Sequence, residues 1–249
     1  MVSTFRYERK LWKKGYKVVV GADEVGRGAW AGPIVAGAVI FSPATKNPKS
    51  KLQISKRIRI DDSKKLTARQ RERAEKWIKK NALCWGTGEA SVSEINKHGM
   101  GKASRSAFRR AITKCKKGLQ TTDYRLQPGK AVDRRLSAVD FLLIDAFYLP
   151  YTAGFPVGKR GRGKKARQMA IINGDEKCFS IAAASILAKV YRDKLMRRLS
   201  RKRSRYGWTR NKGYGTSEHQ RAIKRYGLTR LHRKKFIPAP VLSQAPGDA

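Results

Sequence analysis

Residues 16–41 read Tyr-Lys-Val-Val-Val-Gly-Ala-Asp-Glu-Val-Gly-Arg-Gly-Ala-Trp-Ala-Gly-Pro-Ile-Val-Ala-Gly-Ala-Val-Ile-Phe. A β-rich run, Tyr16 to Ala22, ends at two adjacent carboxylates, Asp23 and Glu24. A second run, Ile34 to Phe41, begins after a turn that contains Gly26, Gly28 and Gly32. Runs of this composition so close together predict an antiparallel hairpin. The glycines let backbone come close to whatever the carboxylates hold. An acidic pair at a strand end beside such a turn is a candidate for metal ligation.

Outward from the hairpin, the chain alternates between helical and β patterns. Thr67 is placed to cap a helix through Lys80, with Ala74, Trp77 and Ile78 on one face. Ala82 to Ser91 predicts a third strand. Ser93 opens a helix toward Cys115 whose stripe is Ala103, Ala107, Phe108, Ala111 and Ile112. Phe141 to Ile144 and Met169 to Ile172 are short apolar runs ending near Asp145 and Asp175, and Phe179 to Leu199 is helical by composition. Val157 to Arg167 is rich in Gly, Lys and Arg and predicts a mobile loop. Arg201 to Arg205 is a basic link to a C-terminal segment, and Ile237 to Ala249 predicts a frayed tail.

Lys and Arg number 58 against 18 Asp and Glu, a formal charge of +40 over 249 residues. Such a surface repels itself unless it meets polyanions, so nucleic acid is the expected partner. The basic residues are spread along the chain instead of forming one amphipathic helix, which disfavours an anionic membrane. Ile34 to Phe41 is far shorter than the roughly 20 apolar residues a membrane span needs. Met1 to Lys10 has neither an apolar core nor a cleavage site. The three cysteines, Cys84, Cys115 and Cys178, have no metal-binding spacing and read as reduced thiols. A cytoplasmic location and a monomeric state are expected.

With so few acids, their positions matter. Asp23, Glu24, Asp145 and Asp175 each follow an apolar β-like run, and strand ends from distant segments can converge in one sheet. Four clustered carboxylates raise one another's pKa and are stabilised by divalent cations. Mg²⁺ favours a few carboxylates plus water and phosphate oxygen, and a pair of such ions supports in-line attack on a phosphodiester. The competing reading is that these acids only cap strand ends and turns.

Asp23-Glu24-Val25-Gly26-Arg27-Gly28 with Gly32-Pro33 resembles the signature of the type 2 ribonucleases H, the ribonuclease HII family. The resemblance recurs in order. It continues through Asp62-Ser63-Lys64-Lys65-Leu66, Leu142-Leu143-Ile144-Asp145 and Gly174-Asp175. Ile181 to Val190 with Arg192-Asp193 follows, then Lys212-Gly213-Tyr214-Gly215-Thr216 with His219, and His232-Arg233. The type 3 enzymes are similar at the acidic pair but typically carry another residue where Arg27 stands.

The resemblance implies an α/β ribonuclease H-like fold, with a mixed, mainly five-stranded sheet flanked by helices and a small C-terminal helical extension. It divides the chain into a catalytic domain (1–200), an extension carrying Tyr214 (201–236) and a flexible tail (237–249). Asp23, Glu24, Asp145 and Asp175 would be catalytic carboxylates binding Mg²⁺ or Mn²⁺. Substrates would be RNA–DNA hybrids and duplex DNA containing ribonucleotides, cut on the 5′ side of the ribonucleotide. Gly26, Arg27 and Gly28 would approach the 2′-hydroxyl through their backbone, Tyr214 would pack beyond it, and Ser63, Lys64 and Lys65 would hold phosphates. Other residues carry structural expectations: Ile181 to Val190 as a buried helix, Asp193 as an ion-pair partner, His219 and His232 as polar supports. Trp30 and Cys178 are expected in packing and His98 at the surface. Asn96 stands where the family often has aspartate. A type 3 enzyme, or a basic nucleic-acid binder without catalysis, are the alternatives.

Overall fold

A computed structural model describes residues 3–43, 58–121, 140–149 and 167–246; the basic stretch 157–166 and the last three residues lie outside them. Helix α1 (Arg6–Lys13) leads into strands β1 (Val19–Val25) and β2 (Ile34–Ile40). Next come α2 (Ala68–Asn81), β3 (Cys84–Ala90), α3 (Val92–Thr121), β4 (Phe141–Asp145) and β5 (Gln168–Ile171). A single turn, α4 (Gly174–Lys177), precedes the long α5 (Phe179–Lys202). The extension contains α6 (Trp208–Asn211), α7 (Ser217–Tyr226) and α8 (Ala239–Leu242).

The sheet order is β3-β2-β1-β4-β5. β1–β2 and β2–β3 are antiparallel, and β1–β4 and β4–β5 are parallel, so the sheet is mixed and five-stranded as expected. Its two faces follow from the period of two in a strand. Val18, Val20 and Ala22 pack with Ala103, Ala107, Phe108 and Ala111 of α3. On the opposite side Val19 packs with Ile181 of α5, while Val39 and Phe41 join Ala183, Ile186 and Leu187. Helix α5 lies so close to the sheet that a Cβ on Gly21 would fall inside Ser180, and one on Gly37 inside the Ala184 carbonyl. Small residues on both elements permit this approach. Helix α2 covers α5, and its first turn is closed by the predicted cap: Thr67 and Gln70 exchange side chain–backbone bonds.

Three expectations change. β1 starts at Val19 and runs through the acidic pair, which faces Gly37 and Ala36 across the ladder. Pairing is a backbone matter, and those small partners leave room for carboxylates inside the strand. The helix expected from Ser93 is broken at Gly99, whose φ is +78°. The expected tail is ordered over 237–246, because Ile237 and Val241 are buried with Tyr206, Trp208 and Ile223 in the core of the extension. That core also takes in Ala31 from the β1–β2 turn and Met196 from α5, so the extension is seated directly on the turn. No helix among the described residues is long and apolar enough to cross a membrane.

Candidate active site

β1, β4 and β5 are adjacent and parallel, so their carboxyl ends emerge along one edge of the sheet. Alternation sends Asp23 to the α5 side of β1, after Val19 and Gly21, where it is buried and hydrogen-bonded with Ser185. Asp145 closes β4. Beyond β5, Asn173 turns the chain with φ +55° and opens α4, which carries Asp175 in its first turn. The Gly174 N–H donates to Asp145 Oδ1 at 2.7 Å, tying the end of β4 to the turn that holds Asp175. The structure thus brings the four sequence-predicted carboxylates to one edge.

Their electrostatics show the cost of the arrangement. Burial, then Glu24, Asp145 and Asp175, hold the Asp23 carboxyl well above its ordinary range, against the Ser185 hydrogen bond. Burial also raises Glu24, opposed by Arg27, whose Nη1 lies 3.2 Å from Glu24 Oε1. Asp175 is raised by burial, opposed by Lys64 at 3.6 Å and reinforced by Asp62 and Asp145. Among the described residues no three acidic, imidazole or thiol groups form a closed ion cage.

The predicted phosphate-holding residues divide. Lys64 is exposed and stands at the acids; Lys65 is paired with Glu176 at 2.7 Å. Ser63 is buried, and its hydroxyl lies 3.1 Å from that of Ser185, so it supports the residue that holds Asp23 instead of facing solvent. Asp62, not singled out from the sequence, caps the turn by accepting from the Lys64 N–H at 2.9 Å and also raises Asp175. Its position in the Asp62–Leu66 block was the available signal.

Beside the acids, the β1–β2 turn faces the Tyr214 segment. Trp30 and Ala31 N–H groups donate to the Gly213 carbonyl at 2.8 and 3.0 Å. Gly26 is buried with φ +94°, and a Cβ there would collide with the Arg192 guanidinium. Glycine at 26 is therefore required by Arg192 and by its backbone angle, while Gly28 is exposed with open space around it. Two fully buried arginines, which sequence reasoning did not assign, bond the carbonyls of this region. Arg192 donates to Pro33, Ala31 and Lys212, and Arg233 to Gly32, Gly26 and Arg27. Arg192 also lies over the Tyr214 ring at 5.4 Å. The signal for Arg192 was its place in the Arg192-Asp193 block, since the second half of α5 carries several other charged residues.

The histidines are supports, as expected. His232 Nδ1 accepts from the Thr229 N–H at 2.9 Å, so its proton sits on Nε2, facing His219 Nε2 at 3.2 Å. His219 Nε2 accepts from Trp208 Nε1 as well, at 3.1 Å, and its Nδ1 donates to the Tyr214 carbonyl at 3.0 Å. Burial lowers both imidazoles, His232 to about 4, which favours this neutral chain of bonds. Asn96 donates to the His232 carbonyl at 3.1 Å, a bond an ionised aspartate could not make. Asp193 pairs with Lys189 at 3.0 Å and Arg71 at 3.6 Å, Cys178 is buried, Trp30 packs beside His219, and His98 is exposed.

Comparison with known proteins covers these same segments. The family model described as Ribonuclease HII matches residues 20–239. The ribonuclease HII of Thermosynechococcus vestitus is 41% identical over 239 residues, spanning 96% of this chain and 92% of that protein. That of Pelagibacter ubique is 40% identical over 222 residues, spanning 89% and 97%. Among solved structures, the ribonuclease H2 of Pyrococcus horikoshii superposes with a TM-score of 0.60 at 23% identity, covering 91% of this chain and 98% of that one. Bst ribonuclease HIII, solved in complex with Mn²⁺, gives 0.58 at 18% identity, covering 92% and 64%. These two likenesses speak for the fold. The family match reaches from the acidic pair through the Tyr214 segment to the buried His232-Arg233 pair, and it places this chain in the ribonuclease HII family of nucleases.

Proposed function

We propose that the chain is a metal-dependent endonuclease that hydrolyses the phosphodiester 5′ to a ribonucleotide, leaving a 3′-hydroxyl and a 5′-phosphate. Its substrates are RNA–DNA hybrids and ribonucleotides embedded in duplex DNA. The observation that carries this reading is the convergence of Asp23, Glu24, Asp145 and Asp175 at the carboxyl ends of three adjacent strands, with three of them raised by burial and by one another. The donor set fits Mg²⁺ or Mn²⁺, since all four ligand candidates are hard carboxylate oxygens. These four residues would hold the cations, and divalent charge would relieve the repulsion that helps raise Asp23, Glu24 and Asp175. When bound, such ions supply Lewis acidity for in-line attack of water on the phosphodiester.

The remaining steps belong to the protein's own groups. Lys64, exposed above Asp175, is placed to meet a phosphate next to the cut. Arg27 and Gly28 present exposed backbone to the ribose, and Tyr214 forms the opposite wall. The 2′-hydroxyl is the group by which such a wall tells RNA from DNA.

Asp145→Asn is expected to abolish cleavage of a duplex holding one ribonucleotide in Mg²⁺ while leaving duplex affinity intact, and chelator should do the same to the wild type. Full activity in the variant would remove Asp145 from the metal site.

A further inference from the structure

The turn that faces the ribose contains three glycines and has few side chains of its own to hold it. What fixes it is the pair of buried arginines, and the geometry of their bonds has a directional consequence. The described peptide bonds are all trans, and in a trans peptide the C=O and N–H point in opposite directions. Arg233 Nη1 takes the carbonyls of Gly26, at 2.6 Å, and Arg27, at 3.1 Å. The N–H groups of the same two peptide units belong to Arg27 and Gly28, and they are turned away from Arg233. Neither N–H has a hydrogen-bond partner among the described residues, and both residues are exposed. Two successive donors are thus turned away from Arg233 on an exposed stretch of the turn, and an added Cβ at Gly28 would meet only open space.

Arg192 acts at the other end of the same device. Its three donors join Ala31 and Pro33, at the close of the turn, to Lys212, two residues before Tyr214. Neither arginine forms an ion pair with a carboxylate among the described residues, and Arg233 Nη2 is buried without a hydrogen-bond partner. Packing alone would be better served by an apolar side chain than by a buried, incompletely satisfied cation. Lysine cannot replace the fork, because its ammonium is a point charge without a planar array of donors.

We propose that Arg233 and Arg192 are positioning residues for ribose recognition: Arg233 aims the Arg27 and Gly28 N–H pair at the 2′-oxygen, and Arg192 sets the gap from that pair to Tyr214. The proposal rests on the ribonucleotide-cleaving activity proposed above and adds the residues that set its selectivity. The test compares wild type, R233K and R192K on duplex DNA holding one ribonucleotide and on the same duplex with a 2′-fluoro sugar there. In R233K, kcat on the ribonucleotide should fall roughly 100-fold, as expected for a misplacement near 1 Å, with KM within about threefold. The preference for hydroxyl over fluorine should fall about tenfold or more, while Mn²⁺ affinity and melting temperature in chelator stay close to wild type. A merely structural role would lower both substrates together, and that result overturns the proposal.

If R233K does not fold, R192K decides by the same ratio. A third readout needs no variant: in chelator, the Arg27 and Gly28 amide resonances of the wild type should move further with the ribonucleotide duplex than with all-DNA duplex. Equal shifts with both duplexes overturn the proposal. Failure of the wild type to cut the ribonucleotide duplex would instead overturn the parent activity, so the two failures are distinct.

Discussion

Asp23 is a carboxylate placed where the fold alone would not choose one. It is buried on the central strand, beside Glu24 and within reach of Asp145 and Asp175, and its pKa is raised well above the ordinary value by burial first and by those neighbours second. An acid whose folded pKa is raised favours the protonated fold, so stability is lost as pH rises through its titration. Asp23→Asn should therefore raise the melting temperature in chelator at neutral pH while abolishing cleavage; about 1 kcal/mol appears as roughly 2–4 °C in a chain of this size. Added Mn²⁺ should raise the melting temperature of the wild type more than that of the variant. A variant less stable than wild type in chelator would contradict the repulsion argument. Asp23 and Glu24 were legible in the sequence because acids are few and each lies in or beside an apolar run. Ser185 was not, since a serine within an alanine-rich helix looks like packing until the strand opposite is known.

At the scale of elements, strand alternation and helix stripes were readable because each buries one face: Val20 and Ala22 on one side of β1, Ala103, Ala107 and Ala111 on α3. The ends of elements were not. Nothing local tells β1 to continue through two carboxylates, since its extension is set by backbone pairing to Gly37 and Ala36. Likewise Ile237 and Val241 are ordered by packing with residues distant in sequence, among them Ala31, Met196, Tyr206 and Trp208. The Trp208–His219–His232–Thr229 chain that supports Tyr214 makes the extension sensitive to acid. Because the His232 pKa is lowered from 6.5 to about 4, its stabilisation is complete above pH 6.5 and is lost as pH falls toward 4. The loss is on the order of 3 kcal/mol at about 1.4 kcal/mol per pKa unit. Thermal unfolding of the wild type and of His232→Asn across this range checks it: the variant should be less stable at pH 7, and the gap should narrow by pH 4.5. A gap independent of pH would rule out the neutral imidazole pair as the cause.

For the whole molecule the dominant property is charge. A net +40 exceeds anything the acidic edge requires. Binding to duplex DNA should therefore be driven largely by counterion release, and affinity should fall about 10³-fold or more between 50 and 200 mM salt if six or more phosphates are neutralised. Fluorescence anisotropy in a NaCl series measures this, and a shallow dependence would mean that most of the basic side chains lie off the duplex. Composition announced a nucleic-acid partner, but only the fold shows how one helix serves both the acids and the β1–β2 turn. Ser185 supports Asp23, Arg192 holds the β1–β2 turn, and Met196 lies under Gly32 and Gly213, all on α5. Ser185 and Arg192 are seven residues apart, nearly two full turns or about 10 Å of rise, and therefore share one side of the helix. Helix α5 is thus a gauge. The offset between the carboxylates and the glycine turn is set by helical pitch instead of by loop length. A single residue inserted between Ser185 and Arg192 would rotate one end about 100° from the other and part the acids from the turn, though each half kept its own residues.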